Sequence, residues 1–352
     1  MTAGSALITG GAGFIGSHLA RALLDGGWRV HVLDDLSTGR LENILALKTN
    51  PHFAFTIDSA LNRAAMVPLV AQADVVFHLA AAVGVRLIVD QPVATIATNI
   101  GTSELLLELA ARRRCAVLMA STSEVYGKLD RPKFSEGDDL VLGATSKSRW
   151  CYAASKIVDE HLALAYAHQQ ALPVTVVRLF NTIGPRQTGQ YGMVVPRFVG
   201  QALEGEPITV YGDGQQRRSF TWVGDVVDAM IALVQHPGAV GQVFNVGHTK
   251  DISVLELARL VRRLAASDSE IVQVPFEQAY EPAFEDMARR LPDISKIGRL
   301  IGYRPTLNLP VMLERIITHE RVVRVHRTVR RMPGVVPQPV RRAVARERLA
   351  RG

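Results

Sequence analysis

The chain has 352 residues, 48% of them hydrophobic and 21% charged, which predicts one large or two smaller globular domains with a sizeable core. Its formal net charge of +7 is misleading, because residues 321–352 carry ten Arg and one Glu, or +9. The other residues therefore carry about −2 (+7 minus +9), and a near-neutral body argues against a nucleic-acid-binding protein.

The sequence also argues against a membrane or metal protein. No apolar run is long enough to span a membrane, and the N-terminal residues lack the basic-then-apolar pattern of a signal sequence. The two cysteines, Cys115 and Cys151, form neither a disulfide framework nor a metal-ligand spacing. We therefore expect a cytoplasmic protein without a bound metal and without a membrane contact.

The first predicted elements carry the strongest signal in the chain. The apolar run 6–8 predicts a buried strand, and three glycines follow at the spacing G-x-x-G-x-x-G, namely Gly10, Gly13 and Gly16. Apolar residues with helical spacing come next, so the glycines lie where a strand turns into a helix. Glycine permits this tight turn and lets a pyrophosphate approach the N–H groups at the helix N-terminus.

A second predicted strand, 29–33, ends in Asp34, eighteen residues after Gly16. A carboxylate at this point accepts hydrogen bonds from both adenosine ribose hydroxyls and repels a 2′-phosphate. Because strand, helix, second strand and acid are in register, the pattern predicts an NAD site rather than a glycine-rich turn that binds nothing.

Strands and helices alternate through the first half of the chain. This alternation predicts a doubly wound parallel sheet of the Rossmann type. The predicted strands are 5–9, 29–33, 53–57, 74–79, 116–120 and 174–180, and the predicted helices are 14–25, 62–71, 92–113 and 151–170.

Two strand ends extend the predicted cofactor site. Asp58 follows the third strand, where its carboxylate either reaches the adenine or caps the next helix. The fourth strand ends in small residues, 80–82, which let the cofactor lie against the strand end.

The fifth predicted strand leads into a Ser/Thr-rich segment, 121–124, and Tyr152 and Lys156 follow on a predicted helix. At positions i and i+4, the tyrosine and lysine share one helix face. We expect the lysine ammonium to favour the phenolate and to lower the pKa of Tyr152 from its ordinary value near ~10. Such a tyrosine removes a hydroxyl proton while hydride leaves the same carbon for NAD.

Taken together, the motifs resemble those of the extended short-chain dehydrogenase/reductase superfamily, in its nucleotide-sugar epimerase, dehydratase and decarboxylase branch. The resemblance covers roughly residues 4–318. It rests on Thr9-Gly-Gly-Ala-Gly-Phe-Ile-Gly16, His78-Leu-Ala-Ala81, Ser121-Thr-Ser-Glu-Val-Tyr-Gly127, Tyr152-x-x-x-Lys156, Arg178-Leu-Phe-Asn-Thr-Ile-Gly-Pro-Arg186, Val210-Tyr-Gly-Asp-Gly214, Arg218-Ser-Phe220, Val223-Gly-Asp225 and Phe244-Asn-Val-Gly247.

The resemblance implies a domain organisation. A Rossmann-like NAD-binding domain is expected at 1–180, with 219–246 interleaved. A smaller, mixed α/β domain at 181–218 and 247–320 would bind the nucleotide sugar, and 321–352 would form a basic C-terminal extension, partly of helical spacing. Family members of this kind keep NAD tightly bound and recycle it, and they pair two long helices, here 92–113 and 151–170, across a homodimer interface.

The resemblance also implies three sets of site residues. The catalytic set is Thr122, Ser123, Glu124, Tyr152, Lys156 and Arg218. The cofactor-binding set is Gly10, Gly13, Phe14, Ile15, Gly16, Asp34, Asp35, Ser37, Thr38, Gly39, Asp58, Leu79, Ala80, Ala81, Asn99, Tyr152 and Lys156. The substrate-binding set is Arg86, Asn181, Val195, Arg197, Tyr211, Arg218 and Arg290.

Three features favour a UDP-glucuronate decarboxylase within this branch. The pair Ser123-Glu124 resembles that of the decarboxylases, the segment 148–152 (Ser-Arg-Trp-Cys-Tyr) resembles their approach to the catalytic tyrosine, and Arg218 stands where they hold the substrate carboxylate. The expected reaction is C4 oxidation, loss of CO2 and re-reduction of C4, giving UDP-xylose, UDP-4-keto-pentose or both.

The segment 82–89 departs from the decarboxylase pattern, because it lacks a tyrosine and its Gly84-Val-Arg86 resembles UDP-glucuronate 4-epimerases. A 4-epimerase acting on UDP-glucuronate or UDP-glucose therefore stays open as the alternative. A 4,6-dehydratase is less favoured. The pair Ser123-Glu124 also resembles GDP-mannose 4,6-dehydratase, but the missing Asp before Glu124 argues against a thymidine-type dehydratase. A non-catalytic NAD-binding protein is less favoured because Tyr152 and Lys156 are both retained.

Overall fold

The structure of the protein is a computed structural model. It describes residues 4–84, 88, 90–189, 192–275, 278, 287 and 289–331. Strands and helices alternate along most of this length, as expected. The strands are β1 (Ser5–Thr9), β2 (Arg29–Asp34), β3 (Phe53–Ile57), β4 (Val75–His78), β5 (Ala116–Thr122), β6 (Val174–Leu179), β7 (Thr182–Ile183), β8 (Ile208–Tyr211), β9 (Arg217–Ser219), β10 (Thr221–Trp222), β11 (Gln242–Val246), β12 (Asp251–Ser253), β13 (Ile271–Val274) and β14 (Arg289–Arg290).

The helices connect these strands and include the two long helices that the sequence predicts at 92–113 and 151–170. They are α1 (Phe14–Asp25), α2 (Glu42–Leu45), α3 (Arg63–Gln72), α4 (Pro92–Arg113), α5 (Cys151–Gln170), α6 (Val194–Glu204), α7 (Val223–Gln235), α8 (Val254–Leu264), α9 (Ser295–Ile301) and α10 (Leu309–Arg331). Short 3-10 turns occur at Ser123–Tyr126, Ser148–Trp150 and Pro237–Ala239.

Seven strands form one parallel sheet in the order β3-β2-β1-β4-β5-β6-β11. The chain runs outward from β1 to β3, then returns to the other side of β1 and continues from β4. This is the doubly wound topology, and the predicted fold class is confirmed. Because the strand order reverses between β1 and β4, the carboxyl ends of these two strands border the crevice where such sheets bind ligands.

The sheet is buried on both faces, which explains why its strands are almost continuously apolar. One face packs against α1 and α7, with Leu19, Leu23 and Met230 fully buried. The opposite face packs against α3, α4 and α5, where Leu106 and Leu107 are fully buried. Helices on both faces leave the carboxyl edge of the strands as the open side of the sheet.

A second apolar cluster lies outside the sheet and joins α6, α8 and α10 to strand β8. Within the described residues, strand β8 pairs in parallel with β13, and a separate small sheet has the order β12-β9-β14. Helix α10 continues from residue 309 to 331, so it crosses the expected start of the extension at residue 321 without a break. The remainder of the expected extension, 332–352, lies outside the described residues.

None of the helices in the described part of the chain is both long and apolar enough to cross a membrane. Within the same part, no group of three or more His, Cys, Asp or Glu side chains is arranged to hold a metal ion.

Candidate active site

The glycine-rich turn brings the N-terminus of α1 close to the ends of β1 and β4. Gly10 has φ +72°, and a Cβ there would lie 2.7 Å from the backbone nitrogen of Ala80. Gly13 is the N-cap of α1 and provides no side-chain cap for the first helical N–H groups. These donors, together with the helix dipole, form an anion site that suits a pyrophosphate.

Gly16 makes the tightest contact of the turn. A Cβ on Gly16 would lie 2.4 Å from the carbonyl oxygen of Gly10 and 2.6 Å from the Cα of Gly11. Only a residue without a side chain allows α1 to start this close to the turn. The turn therefore fits the predicted dinucleotide site in backbone shape as well as in sequence.

We expect Gly16→Ala to weaken NAD binding at least tenfold and to destabilise the protein, because the added Cβ must push the turn away from the helix N-terminus. The matched control is Gly137→Ala, since a Cβ at Gly137 has no atom within 4 Å. Calorimetric titration with NAD and thermal unfolding measure the two effects. Equal NAD affinity in both variants would contradict the placement of the pyrophosphate at this turn.

Asp34 ends β2 directly beside the glycine turn. Its Oδ2 accepts a hydrogen bond from the Ala12 N–H at 2.9 Å, and its Oδ1 accepts one from the Leu36 N–H at 2.8 Å. Burial raises the pKa of this carboxyl, although the backbone donors oppose the shift. Each oxygen keeps a second lone pair, so the geometry is compatible with the predicted contact to ribose hydroxyls.

The loop after β2 is folded tightly around the Asp34 carboxylate. A Cβ on Gly39 would lie 2.7 Å from Asp34 Oδ1, and Asp35 Oδ1 accepts from the Ser37 N–H at 2.9 Å. The loop residues Asp35, Ser37, Thr38 and Gly39 therefore lie next to Asp34, as the predicted cofactor set requires.

Asp58 lies beside Asp34, but its carboxylate is engaged with the start of α3. Its Oδ1 accepts from the Ser59 N–H at 2.7 Å, and its Oδ2 accepts from Asn62 Nδ2 at 2.9 Å. Asn62 is the N-cap of α3 and accepts from the Ala64 N–H. Of the two interpretations of Asp58, the contacts support the capping one, through Asn62.

Asn99 connects the end of β4 to the helix that carries the tyrosine. Its Oδ1 accepts from the Ala82 N–H at 2.8 Å, and its Nδ2 donates to Ser155 Oγ at 3.1 Å. Ser155 Oγ donates in turn to the carbonyl of Tyr152 at 2.8 Å. Asn99 is fully buried, so it holds the segment 79–82 against α5 and fixes the wall of the predicted nicotinamide site.

Thr122, Tyr152 and Lys156 come together at the carboxyl edge of the sheet. Thr122 is the last residue of β5, and its hydroxyl lies beside the phenol of Tyr152, where it favours the phenolate. Tyr152 and Lys156 lie in the first turns of α5 with exposed fractions of 7% and 2%. The structure therefore brings together the three residues that the sequence pattern singles out for proton transfer.

The predicted lowering of the Tyr152 pKa is wrong for this structure. Burial raises the pKa of Tyr152, and the carboxylates of Glu124 and Asp159 raise it further. The Lys156 ammonium donates to Asp159 Oδ2 at 2.8 Å. A buried carboxylate thus offsets the lysine charge that was expected to favour the phenolate.

Glu124 lies between two arginines next to this group. Its Oε2 is 2.5 Å from Arg149 Nη1, and its Oε1 is 3.3 Å from Arg290 Nη1. Burial opposes ionisation, but the charges and hydrogen bonds of the two arginines outweigh it and lower the pKa of Glu124 to about 2. Glu124 is therefore a carboxylate at neutral pH and cannot donate a proton there.

Arg149 was not predicted as a site residue, although its segment resembles that of the decarboxylases. Its side chain is 3% exposed and belongs to the 3-10 turn Ser148–Trp150, directly before α5. The turn places the guanidinium on the same side as Tyr152, three residues later. The short spacing between Arg149 and Tyr152 could have predicted that Arg149 lies in the site. Its ion pair with Glu124 could not be predicted from the sequence, because the fold brings the two residues together.

Arg218 and Arg290 are cross-strand partners in the sheet β12-β9-β14. Because neighbouring residues of a strand point to opposite faces, Arg217 and Arg289 point away from them. Asp251 holds this second pair, with its Oδ1 3.1 Å from Arg217 Nη2 and its Oδ2 2.6 Å from Arg289 Nε. The clamp fixes the register that brings Arg218 and Arg290 to the site.

The remaining predicted substrate residues belong to α6, to β8 and to the turn after β6. Asn181, with φ +25°, donates to the Ser219 carbonyl at 2.9 Å. Arg197 lies over the ring of Tyr211 at 4.1 Å and donates to the Thr209 carbonyl at 2.8 Å. Val195 is buried in the same helix, α6. Arg86 lies outside the described residues.

A second buried ion pair supports the ends of β5 and β6. The motifs that begin at Ser121 and Arg178 did not predict it. Arg178 donates to Glu160 through Nη2 at 2.7 Å, and the Ser121 hydroxyl donates to Glu160 Oε1 at 2.5 Å. The Arg178 guanidinium also lies 4.8 Å from the centre of the Tyr126 ring. These contacts lock α5 to the strand end that carries Thr122.

Comparison with known proteins adds three findings to this geometry. The model of the NAD dependent epimerase/dehydratase family matches residues 6–247. A UDP-N-acetyl-alpha-D-glucosaminuronate decarboxylase from Bacillus cytotoxicus is 44% identical over 304 residues, which cover 86% of this chain and 93% of the relative. UDP-glucuronic acid decarboxylase 1 from Xenopus tropicalis is 37% identical over 318 residues, covering 90% of this chain and 72% of the relative.

A solved structure shares the fold over nearly its whole length. UDP-glucuronic acid 4-epimerase from Bacillus cereus, in complex with UDP-glucuronic acid and NAD, superposes with a TM-score of 0.81 and 29% identity. The match covers 91% of this chain and 99% of the epimerase.

Proposed function

The chain belongs to the NAD dependent epimerase/dehydratase family, and from this premise we propose that it decarboxylates UDP-glucuronate by oxidation at C4. The observation that carries the proposal is the group Glu124, Arg149 and Arg290 directly beside Tyr152. A substrate carboxylate is the chemical group that a buried arginine pair recognises best, because a planar guanidinium binds two oxygens at once. The relatives named as UDP-glucuronic acid decarboxylases support the same reaction.

The first step is proton removal from the sugar 4-hydroxyl. Tyr152 takes this proton, Thr122 holds the oxygen by a hydrogen bond, and Lys156 stays protonated behind them. NAD, when bound, supplies the acceptor and later the donor of the hydride at C4. We propose that NAD stays bound through the cycle and is regenerated in it.

The second step is the loss of CO2 from the 4-keto sugar. The bond between C5 and C6 breaks, its electron pair moves into the C5–C4 bond, and the C4 oxygen becomes an enolate. Tyr152 and Thr122 stabilise this oxygen by hydrogen bonding. A proton from water takes the place of CO2 at C5 and gives the 4-keto-pentose. Return of the hydride to C4 and of the Tyr152 proton to O4 then gives UDP-xylose, whereas release before reduction gives UDP-4-keto-pentose.

Arg149, Arg218 and Arg290 orient the substrate carboxylate in this scheme. Glu124 is the ionised group that this carboxylate must displace from Arg149 and Arg290, or with which it must share them. Because the pKa of Glu124 is about 2, Glu124 repels a second carboxylate. This repulsion disfavours the charged ground state and is relieved when CO2 leaves. Of the two roles open for Glu124, the ion pairs support this one over the protonation of C5.

A second candidate substrate is UDP-N-acetylglucosaminuronate, which the 44% identical Bacillus relative decarboxylates according to its name. Both sugars carry the same C5 carboxylate and C4 hydroxyl and differ at C2. The alternative reaction, 4-epimerisation of UDP-glucuronate, is favoured by the Bacillus cereus structure and by Gly84-Val-Arg86. In epimerisation the 4-keto sugar rotates in the site and takes the hydride back on its other face. The carboxylate stays on the sugar.

Assembly, organisation and location remain parts of the proposal. A homodimer is supported by exposed apolar side chains on α4 and α5, where Val93, Ile96 and Val158 are 80%, 40% and 39% exposed. We keep the domain boundaries given above, and we propose a cytoplasmic location.

Parallel incubations with the two candidate acids test the proposal. Purified protein with NAD is given UDP-glucuronate or UDP-N-acetylglucosaminuronate, and mass spectrometry follows the nucleotide sugars. We expect a product lighter by one CO2 from UDP-glucuronate. Loss of one CO2 only from the N-acetylated acid would move the substrate assignment to that acid, and a new product of unchanged mass would establish the epimerase. No product from either acid would refute the acidic-sugar assignment.

A further inference from the structure

Asp159 is a completely buried carboxylate one helical turn from Lys156. The Lys156 ammonium donates to its Oδ2 at 2.8 Å, and the two residues are i and i+3 on α5. The other oxygen, Oδ1, is buried and has no hydrogen-bond partner among the described residues. The proposed reaction gives Asp159 no role.

A carboxylate in this position is costly to keep. A buried ion needs a partner for its charge and hydrogen bonds for its oxygens. Asp159 has Lys156 as its charge partner, but only Oδ2 of its two oxygens accepts a hydrogen bond among the described residues. An ion pair used only for stability is often replaced by apolar side chains without loss. The retained charge therefore points to an effect on its partner, and the partner is the lysine of the proposed proton-transfer group.

We propose that Asp159 is a positioning residue, which fixes the Lys156 ammonium and offsets its charge at the Tyr152 phenol. The inference rests on the proposed role of Tyr152 as the base at the sugar 4-hydroxyl. It explains why the tyrosine and lysine of this chain do not form the isolated cation–phenol pair that their spacing suggests.

Other titratable groups lie around the pair on α5, β4 and β6 and in the turns after β5 and before α5. On α5, Glu160 follows Asp159 and is paired with Arg178. From β4, His78 is coupled to Lys156, and burial, aided by that lysine, lowers the pKa of His78 to about 3, so it is neutral. Glu124 and Arg149 face Tyr152 from the turns after β5 and before α5.

Neutralising Asp159 leaves Lys156 as an uncompensated cation near the phenol. The Asp159 carboxylate has the same charge as the Tyr152 phenolate, and a nearby carboxylate typically raises the pKa of such a group by about one unit. Removing the Asp159 charge should therefore lower the pKa of Tyr152 by about one unit. The fraction of phenolate at a given pH below that pKa then rises about tenfold. Nitration by tetranitromethane, which attacks the phenolate, reports this fraction without any substrate.

The test compares the native protein with Asp159→Asn, both in complex with NAD, at about pH 8. Mass spectrometry of peptides measures nitration at Tyr152 and at Tyr166, a tyrosine of the same helix that serves as the internal control. We expect about tenfold faster nitration of Tyr152 in Asp159→Asn and an unchanged rate at Tyr166. Asp159→Glu, which keeps the charge, should restore the native rate.

Steady-state kinetics provide the second measurement. The acidic limb of the pH profile of kcat/KM for UDP-glucuronate should move about one unit towards lower pH in Asp159→Asn, and the control Asp25→Asn should leave it unchanged. Should Asp159→Asn fail to fold, Asp159→Ser is the second neutral variant, because it leaves space for a water beside Lys156.

Equal nitration rates in the native and neutral variants would overturn the inference, whatever the activity. Faster nitration without turnover of UDP-glucuronate would support the role of Asp159 and refute the proposed function instead. The two failures are therefore distinguishable.

Discussion

Replacing Tyr152 with phenylalanine should lower kcat for UDP-glucuronate about a thousandfold, because proton transfer by a positioned side chain contributes roughly 10²–10⁴ to a rate. The phenol lies beside the Thr122 hydroxyl and shares a helix face with the buried Lys156. Phenylalanine keeps the packing of this buried position, so NAD affinity and thermal stability should change little. The assay measures the nucleotide products by chromatography.

Tyr166→Phe is the matched control, because it makes the same change about four helical turns further along α5 at a partly buried position. Its kcat should equal that of the native protein. A Tyr152→Phe protein that still turns over at more than a tenth of the native rate would contradict the assignment of the base.

Glu124→Gln should lower kcat about a hundredfold without raising KM. Glutamine keeps the shape but removes the charge that opposes a second carboxylate, so Arg149 and Arg290 are free to hold the substrate carboxylate more tightly. Stronger binding of the ground state does not stabilise the developing CO2, and the barrier for decarboxylation rises. A lower kcat with an unchanged or lower KM distinguishes this effect from a general loss of structure.

The same variant should lose stability in a pH-dependent way. The pKa of Glu124 in the folded protein, about 2, lies below its ordinary value of 4.5, so the ion pairs stabilise the folded state above about pH 4.5. This contribution, about 3 kcal/mol, fades as the pH falls from 4.5 towards 2. Urea unfolding should therefore show a larger difference between native and Glu124→Gln protein at neutral pH than at about pH 3.5.

The control for both effects is Glu104→Gln, at an exposed position of α4. It should leave kcat, KM and the unfolding free energy within measurement error. A Glu124→Gln protein whose KM rises in proportion to the loss of kcat would contradict the proposed repulsion. A stability difference that does not depend on pH would contradict the two ion pairs.

The fold was predictable because its signals are local. Continuous apolar runs such as 6–8 are typical of buried parallel strands, and helical spacing separates them, so strand and helix bounds agree with the prediction within about two residues. Gly10 and Gly16 were predictable for the same reason, since the turn they form depends on residues close in the chain. The small sheet β12-β9-β14 was not predicted, because its strands are only two or three residues long.

The electrostatics of the site were harder to predict, because they depend on partners far apart in the sequence. Glu124 and Arg290 are separated by 166 positions and meet only through the pairing of β9 with β14. The direction of the Tyr152 pKa was missed for a different reason. Asp159 was visible at i+3 from Lys156, and a sequence argument that counted acidic as well as basic neighbours would have included it.

The most direct test of the central claim is the fate of deuterium at C4 of UDP-glucuronate. The account predicts a product lighter by one CO2 that keeps the deuterium at C4, and NAD that carries the label both in reactions stopped during turnover and after release of keto-pentose. Carbon dioxide lost without any transfer of the label would contradict C4 oxidation. A labelled product of unchanged mass would show that the Arg149, Arg290 and Glu124 group serves an epimerase and does not remove the carboxylate.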